Sequence, residues 1–245
     1  IIYVISCPEE LGGGTTVAAA GSFYARKSQF GTHLNQRGPL NSHLEVELVL
    51  LSARDVDGNI MGHEDAIVSI IENKEPDTTI IVNLVIGSKS GIEDNLSLIP
   101  KYKEEALFVV DMCQMRVTNE LINNTINDGA CVMVTGSKFF QAPPFCAALL
   151  VPETLVDQIE QQDVSIEVDG FNRIFSRQDF PSRLEKLRAH FPNFINHGLF
   201  LRWKIAINEI QWFNKVDTDQ VLSVIDLWNQ TVSDNIKRRP QFELM

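Results

Sequence analysis

Two short apolar runs, 106–110 and 131–134, stand one amphipathic helix apart, and no other feature constrains the fold of this chain as much. The stretch between them, 118–127, places Leu121, Ile122, Thr125 and Ile126 on one helical face, and Gly129 follows as a stop signal. A strand, a crossover helix and a second strand close as a right-handed parallel unit. The polar residues after each strand then gather at the carboxyl edge of the sheet. Asp111 and Gln114 follow the first run; Thr135, Ser137 and Lys138 follow the second. The pattern predicts an α/β fold, a doubly wound and mostly parallel sheet followed by C-terminal helices.

Further strands are expected at 1–6, 45–51, 79–86 and 146–151, the last entered through the stiff pair Pro143 and Pro144. Helices are expected at 16–24, up to Asn73 after the polar loop 54–65, at 153–162 and at 182–189. Two long amphipathic helices follow, one from Asn196 onward and one over 219–236, with Trp203, Ile207, Ile210 and Phe213 expected in the core. V-S-I-E-V at 164–168 reads as a short strand. Residues 1–152 form the sheet-bearing core on this reading, and 153–245 its helical continuation. The first strand arrives with no element before it, which predicts further sequence upstream.

At 245 residues and 44% hydrophobic content the chain can bury a full core. A formal net charge of −11 repels nucleic acid, and the one dense basic cluster is Lys237, Arg238 and Arg239. No apolar stretch approaches the roughly 20 residues of a membrane span. The four cysteines, Cys7, Cys113, Cys131 and Cys146, sit singly in apolar surroundings, as buried thiols of a reducing, cytoplasmic compartment do. The five histidines form no ligand-spaced cluster, so no metal site is expected.

Asp111 and Lys138 suit one particular chemistry. A carboxylate facing a pyridine nitrogen keeps it protonated, so that the ring accepts electrons from a carbanion at a substrate's α-carbon. An amine held in a partly desolvated site beside a cationic ring becomes nucleophilic toward an aldehyde. Thr135 and Ser137 offer hydroxyls to a phosphate, and Gln114 offers an amide to a phenolic oxygen. Taken singly, the aspartate also reads as a helix cap and the lysine as a solvated loop residue. Taken together they point to pyridoxal 5'-phosphate.

The D-M-C-Q and T-G-S-K pair, one strand–helix–strand unit apart, resembles fold-type I pyridoxal-phosphate enzymes of the class V aminotransferase and cysteine desulfurase branch. There an Asp-x-x-Gln closes one strand and a Ser-x-His-Lys or similar tetrad closes the next. The resemblance implies Lys138 as the imine lysine, Asp111 on the ring nitrogen, Gln114 on the phenolic oxygen and Thr135 on the phosphate. Ser137 stands where desulfurases carry histidine, and Ser88 or Lys89 stands where the branch reaches the cofactor oxygen or the substrate. Cys146 lies in a strand pattern, not on the mobile loop a desulfurase cysteine needs. The resemblance covers the large domain, and implies an upstream phosphate loop, a small C-terminal domain and a homodimer burying the face around 12–31. Gly12, Gly13, Gly14 and Thr15 read either as an anion-binding turn or as a plain one. The implied activity is of aminotransferase or lyase type on an amino acid or related amine. The alternatives are a non-catalytic or truncated homologue serving as an interaction scaffold and, last, a nucleotide-binding domain.

Overall fold

The computed structural model describes residues 1–162, 170–239 and 241. Its centre is one sheet of six strands, β1 (Ile2–Ser6), β2 (Glu47–Leu51), β3 (Ile80–Val85), β4 (Leu107–Asp111), β5 (Cys131–Thr135) and β6 (Ala147–Leu150), in the order β2-β1-β3-β4-β5-β6. The first five are parallel and β6 runs antiparallel to β5. Chain length dictates that reversal. A parallel return needs a crossover of a dozen or more residues, usually a helix, whereas β5 and β6 are joined by 136–146 with no helix among them. The fold is therefore α/β with a mostly parallel sheet, as the crossover pattern predicts.

Eight α-helices accompany the sheet among the described residues: α1 (Thr15–Ala19), α2 (Glu64–Glu72), α3 (Leu98–Tyr102), α4 (Asn119–Asn127), α5 (Glu153–Gln161), α6 (Glu185–Ala189), α7 (His197–Phe213) and α8 (Thr218–Lys237). The crossover helices α2, α3 and α4 pack Ile67, Ile71, Leu98, Ile99 and Ile122 against Val4, Val82, Leu84, Phe108, Val110 and Val132 on one sheet face. Each such side chain contributes about 1.5–3 kcal/mol by leaving water. The opposite face carries a smaller cluster at its β1 end, built from Ile5, Cys7, Leu11, Ala53, Val85 and Ile92. Loops and a 3-10 turn at Pro8–Glu10 supply most of that cover, so winding on this face is less regular than the sequence pattern suggests.

The N-cap Thr118 side chain accepts from the Leu121 N–H at 3.1 Å, which starts α4 where the sequence places it. Helix α1 is shorter than expected. It ends at Ala19 because Gly21 turns left-handed, at φ 68°, and the next residues pair across a bridge between Ser22 and Pro39. Helix α3 has no counterpart in the sequence reading. Its proline, Pro100, lies within the first turn, where a missing N–H costs nothing.

Helix α7 docks on the sheet edge through Trp203 and the fully buried Ala206, and Phe213 meets Phe139 and Phe140 edgewise at 5.0 and 5.8 Å. Ile207, expected in the core, is 49% exposed, on the outer side of the same helix. Helix α8 likewise leaves Leu227 and Trp228 exposed. No helix among the described residues is long and apolar enough to cross a membrane. The strand expected at 164–168 lies outside the described residues.

Candidate functional site at the carboxyl edge

Alternation along β4 sends Val110 into the helix-covered core and Asp111 to the opposite face. Asp111 is the last residue of that strand and is half-buried. Its carboxylate accepts the Cys113 N–H at 2.8 Å, a bond that turns the chain sharply toward Met115, whose φ is 55°. Lys138, three residues past the end of β5, is exposed at the same edge. Cys113 lies within electrostatic reach of both groups. Burial pushes its thiol well above the ordinary value and the Asp111 carboxylate pushes it further, while the Lys138 ammonium acts in the opposite direction. The fold therefore places the carboxylate and the amine that the sequence pairs at the same edge of the sheet. Gln114 sits half-buried in the turn between them, and its amide makes no hydrogen bond among the described residues.

The hydroxyls differ from one another. Thr135 is buried and its Oγ1 donates to the Cys146 carbonyl, tying β5 to the start of β6. Oγ1 also lies 2.8 Å from the Ser137 hydroxyl and accepts the Ser137 N–H. With its proton committed to a backbone carbonyl, Thr135 accepts the Ser137 hydroxyl proton and so orients Ser137, whose hydroxyl would have to turn away from Thr135 to donate to a phosphate. Gly136, between them, has no room for a side chain: an added Cβ would lie 2.3 Å from the Ala206 Cβ of α7. Ser88 is buried in a tight turn. Its Oγ accepts the Ile92 N–H at 2.9 Å, and the adjoining Ser90 binds Glu10 through both hydroxyl and N–H, at 2.6 and 3.0 Å. Lys89 donates to the Leu11 carbonyl at 2.9 Å. Ser88 and Lys89 thus face the turn after β1, and no hydrogen bond joins them to Lys138 among the described residues. The Gly12–Gly14 segment leads into α1, only five residues long, whose N-cap Gly14 makes no side-chain cap.

A shallow groove lined by Met115, Ile122, Val134 and Trp203 runs between α4, β5 and α7. It lies on the helix-covered face and also reaches Thr135.

A second polar group lies at the same edge and was not legible in the sequence. Cys7, His63 and Asp94 follow β1, precede α2 and follow β3, so no local spacing links them, and the parallel sheet alone brings them together. The available signal was positional: Cys7 is the first residue past an apolar strand, and Asp94 stands a short turn beyond the end of another. A scan against protein-family models and a search of curated proteins found no match to this chain.

Proposed function

We propose that this chain is the sheet-bearing part of a cytoplasmic, pyridoxal-phosphate-dependent enzyme of fold type I, acting on an amino acid or related amine in an aminotransferase- or lyase-type reaction. The reading is carried by the placement of Asp111 at the end of β4 and Lys138 just past the end of β5, neighbouring parallel strands that finish at one sheet edge. The residues present fit the group. Asp111 is a half-buried carboxylate on the open face, Gln114 has an uncommitted amide, Lys138 is an accessible amine, and Ser137 is a hydroxyl held in place by Thr135.

Bound pyridoxal phosphate supplies an electron-accepting ring. Asp111 would hold a proton at the ring nitrogen, Gln114 would donate to the phenolic oxygen, and Ser137 would turn its hydroxyl proton from Thr135 to the phosphate. Lys138 would bond the cofactor aldehyde and carry the substrate's α-proton. A homodimer burying the face around 12–31 belongs to the same reading.

The test is to add pyridoxal phosphate, reduce with borohydride and map the labelled peptide. The label is expected on Lys138 and absent from Lys138→Ala. Its recovery on Lys89, or on no lysine, overturns the assignment. A second reading, an interaction scaffold built on the same sheet, draws on the apolar side chains that α7 and α8 expose, Phe200, Leu227 and Trp228 among them. It predicts no labelled lysine at all.

A further inference from the structure

We propose that Cys7, His63 and Asp94 form a zinc site, distinct from the Asp111 and Lys138 pair, that staples the carboxyl ends of β1 and β3 to the start of α2. One ligand atom from each of the three residues lies within 4.8 Å of the others. The donor set is one thiol sulfur, one imidazole nitrogen and one carboxylate oxygen. That mixture suits a divalent cation of borderline softness, with zinc the natural occupant and water in a fourth position.

The imidazole is what lifts this cluster above a chance meeting of polar groups. His63 is only 6% exposed, and its Nε2 lies 2.9 Å from the Ser52 carbonyl. A carbonyl can only accept, so Nε2 carries a proton, and in the neutral ring Nδ1 carries the lone pair. Nδ1 is buried and has no partner among the described residues. A buried acceptor without a donor is destabilising, and a cation at the cluster would satisfy it. An imidazole that donates one N–H to a backbone carbonyl while its other nitrogen ligates is the arrangement metal sites favour.

The carboxylate is prepared in the same way. Asp94 Oδ2 accepts the Val85 N–H at 2.7 Å and the Ser6 hydroxyl, while Oδ1 accepts no hydrogen bond among the described residues. Cys7 is fully buried and held left-handed, at φ 50°. The surrounding backbone is tied down as well. Glu9 accepts the Ala53 N–H at 3.1 Å, Glu10 accepts from Ser90, and Lys89 donates to Leu11. Ligand atoms in a tetrahedral zinc site lie roughly 3.3–3.8 Å apart, given bond lengths of about 2.0–2.3 Å. Small rotations of the three side chains would close the present spacing. On binding, the Cys7 S–H bond breaks, its proton passes to solvent, and the sulfur's electron pair forms the bond to the cation.

The experiment uses Co²⁺ as a spectroscopic stand-in on the chelator-treated full chain. One equivalent is expected to produce a thiolate-to-cobalt charge-transfer band with tetrahedral visible absorption, both removed by added Zn²⁺. The band is expected to vanish in Cys7→Ser and persist in Cys113→Ser. In Asp94→Asn it is expected to remain, with affinity at least tenfold weaker. Zinc X-ray absorption of the wild-type chain covers the case in which Cys7→Ser fails to fold, and should show one sulfur among the ligands. A wild-type chain with no thiolate band, a band lost in Cys113→Ser, or zinc with no sulfur neighbour overturns the proposal. Because none of these readouts uses pyridoxal phosphate, they stand or fall independently of Lys138.

Discussion

Gly136→Ala should loosen the seam between α7 and the loop that carries Lys138. The added Cβ would lie 2.3 Å from the Ala206 Cβ and 3.2 Å from the Cys146 Sγ, against an ordinary carbon–carbon contact of about 3.5–4.0 Å. Gly136 is not left-handed, so alanine can adopt its backbone and the cost is purely steric. In an open position the same change would stabilise by about 0.4–1 kcal/mol through the unfolded state. Overpacking costs about 1–3 kcal/mol, and a contact this short lies at the upper end. The net loss is therefore about 2 kcal/mol, a fall in Tm of roughly 4–8 °C for a chain of this size. The measurement is a double-mutant cycle with Ala206→Gly, followed by urea denaturation. Ala206→Gly alone should lose about 2 kcal/mol, from helix propensity and one buried methyl. The double variant moves the methyl across the seam and should be no worse than Ala206→Gly, giving a coupling of about 2 kcal/mol. Strict additivity, or a Gly136→Ala chain as stable as wild type, would refute the seam.

Asn83 is 1% exposed in the middle of β3, its Oδ1 has no partner among the described residues, and its Nδ2 reaches the Val109 carbonyl only at 3.4 Å. Asn83→Leu is expected to gain about 1 kcal/mol in urea denaturation, and a loss of that size would show that Oδ1 has a partner. Glu10 tests the turn beside the zinc cluster. Burial raises its carboxyl, but the Ser90 hydroxyl and N–H, the Ser88 hydroxyl and Lys89 outweigh that and hold it below its ordinary value. Its stabilising effect is then fully present above the unfolded value of about 4.3 and is lost as pH falls through the lower folded value. Acid titrations of Glu10→Gln should lack that part of the slope, and superimposable wild-type and variant curves would count against it.

The strands were the readable part of the fold because each is a short apolar run, and the crossover helix α4 because its cap and apolar face both lie in ten consecutive residues. The reversal at β6 follows from loop length alone. What local pattern hides is how far an element extends once tertiary contacts act on it. Helix α1 stops at a left-handed glycine that the sequence equally allows in other places, and α3 forms although proline lies in it. Ile207 shows the same limit from the other side. An apolar residue on an amphipathic helix predicts a core only if a partner covers that stripe, and α7 spends its contact on Ala206 and Trp203.

For the site, sequence locates the strand ends but not the state of the side chains there. Asp111 and Lys138 were readable because parallel strands end at one edge and the two lie on consecutive strands of one unit. Thr135 and Ser137 look equivalent in T-G-S-K, yet a partner eleven residues away, the Cys146 carbonyl, occupies the Thr135 hydroxyl. Cys7, His63 and Asp94 lie further still from local reading, since three separate connections must fold before they meet. The same reasoning separates the two stations chemically. Lys138 belongs to the β5 end, where α7 presses on Gly136, and Cys7 to the β1 end, where Ser6 and Val85 hold Asp94. They share no described hydrogen bond, so substitutions at one should leave the other's ligand binding unchanged within the few tenths of a kcal/mol expected of independent sites.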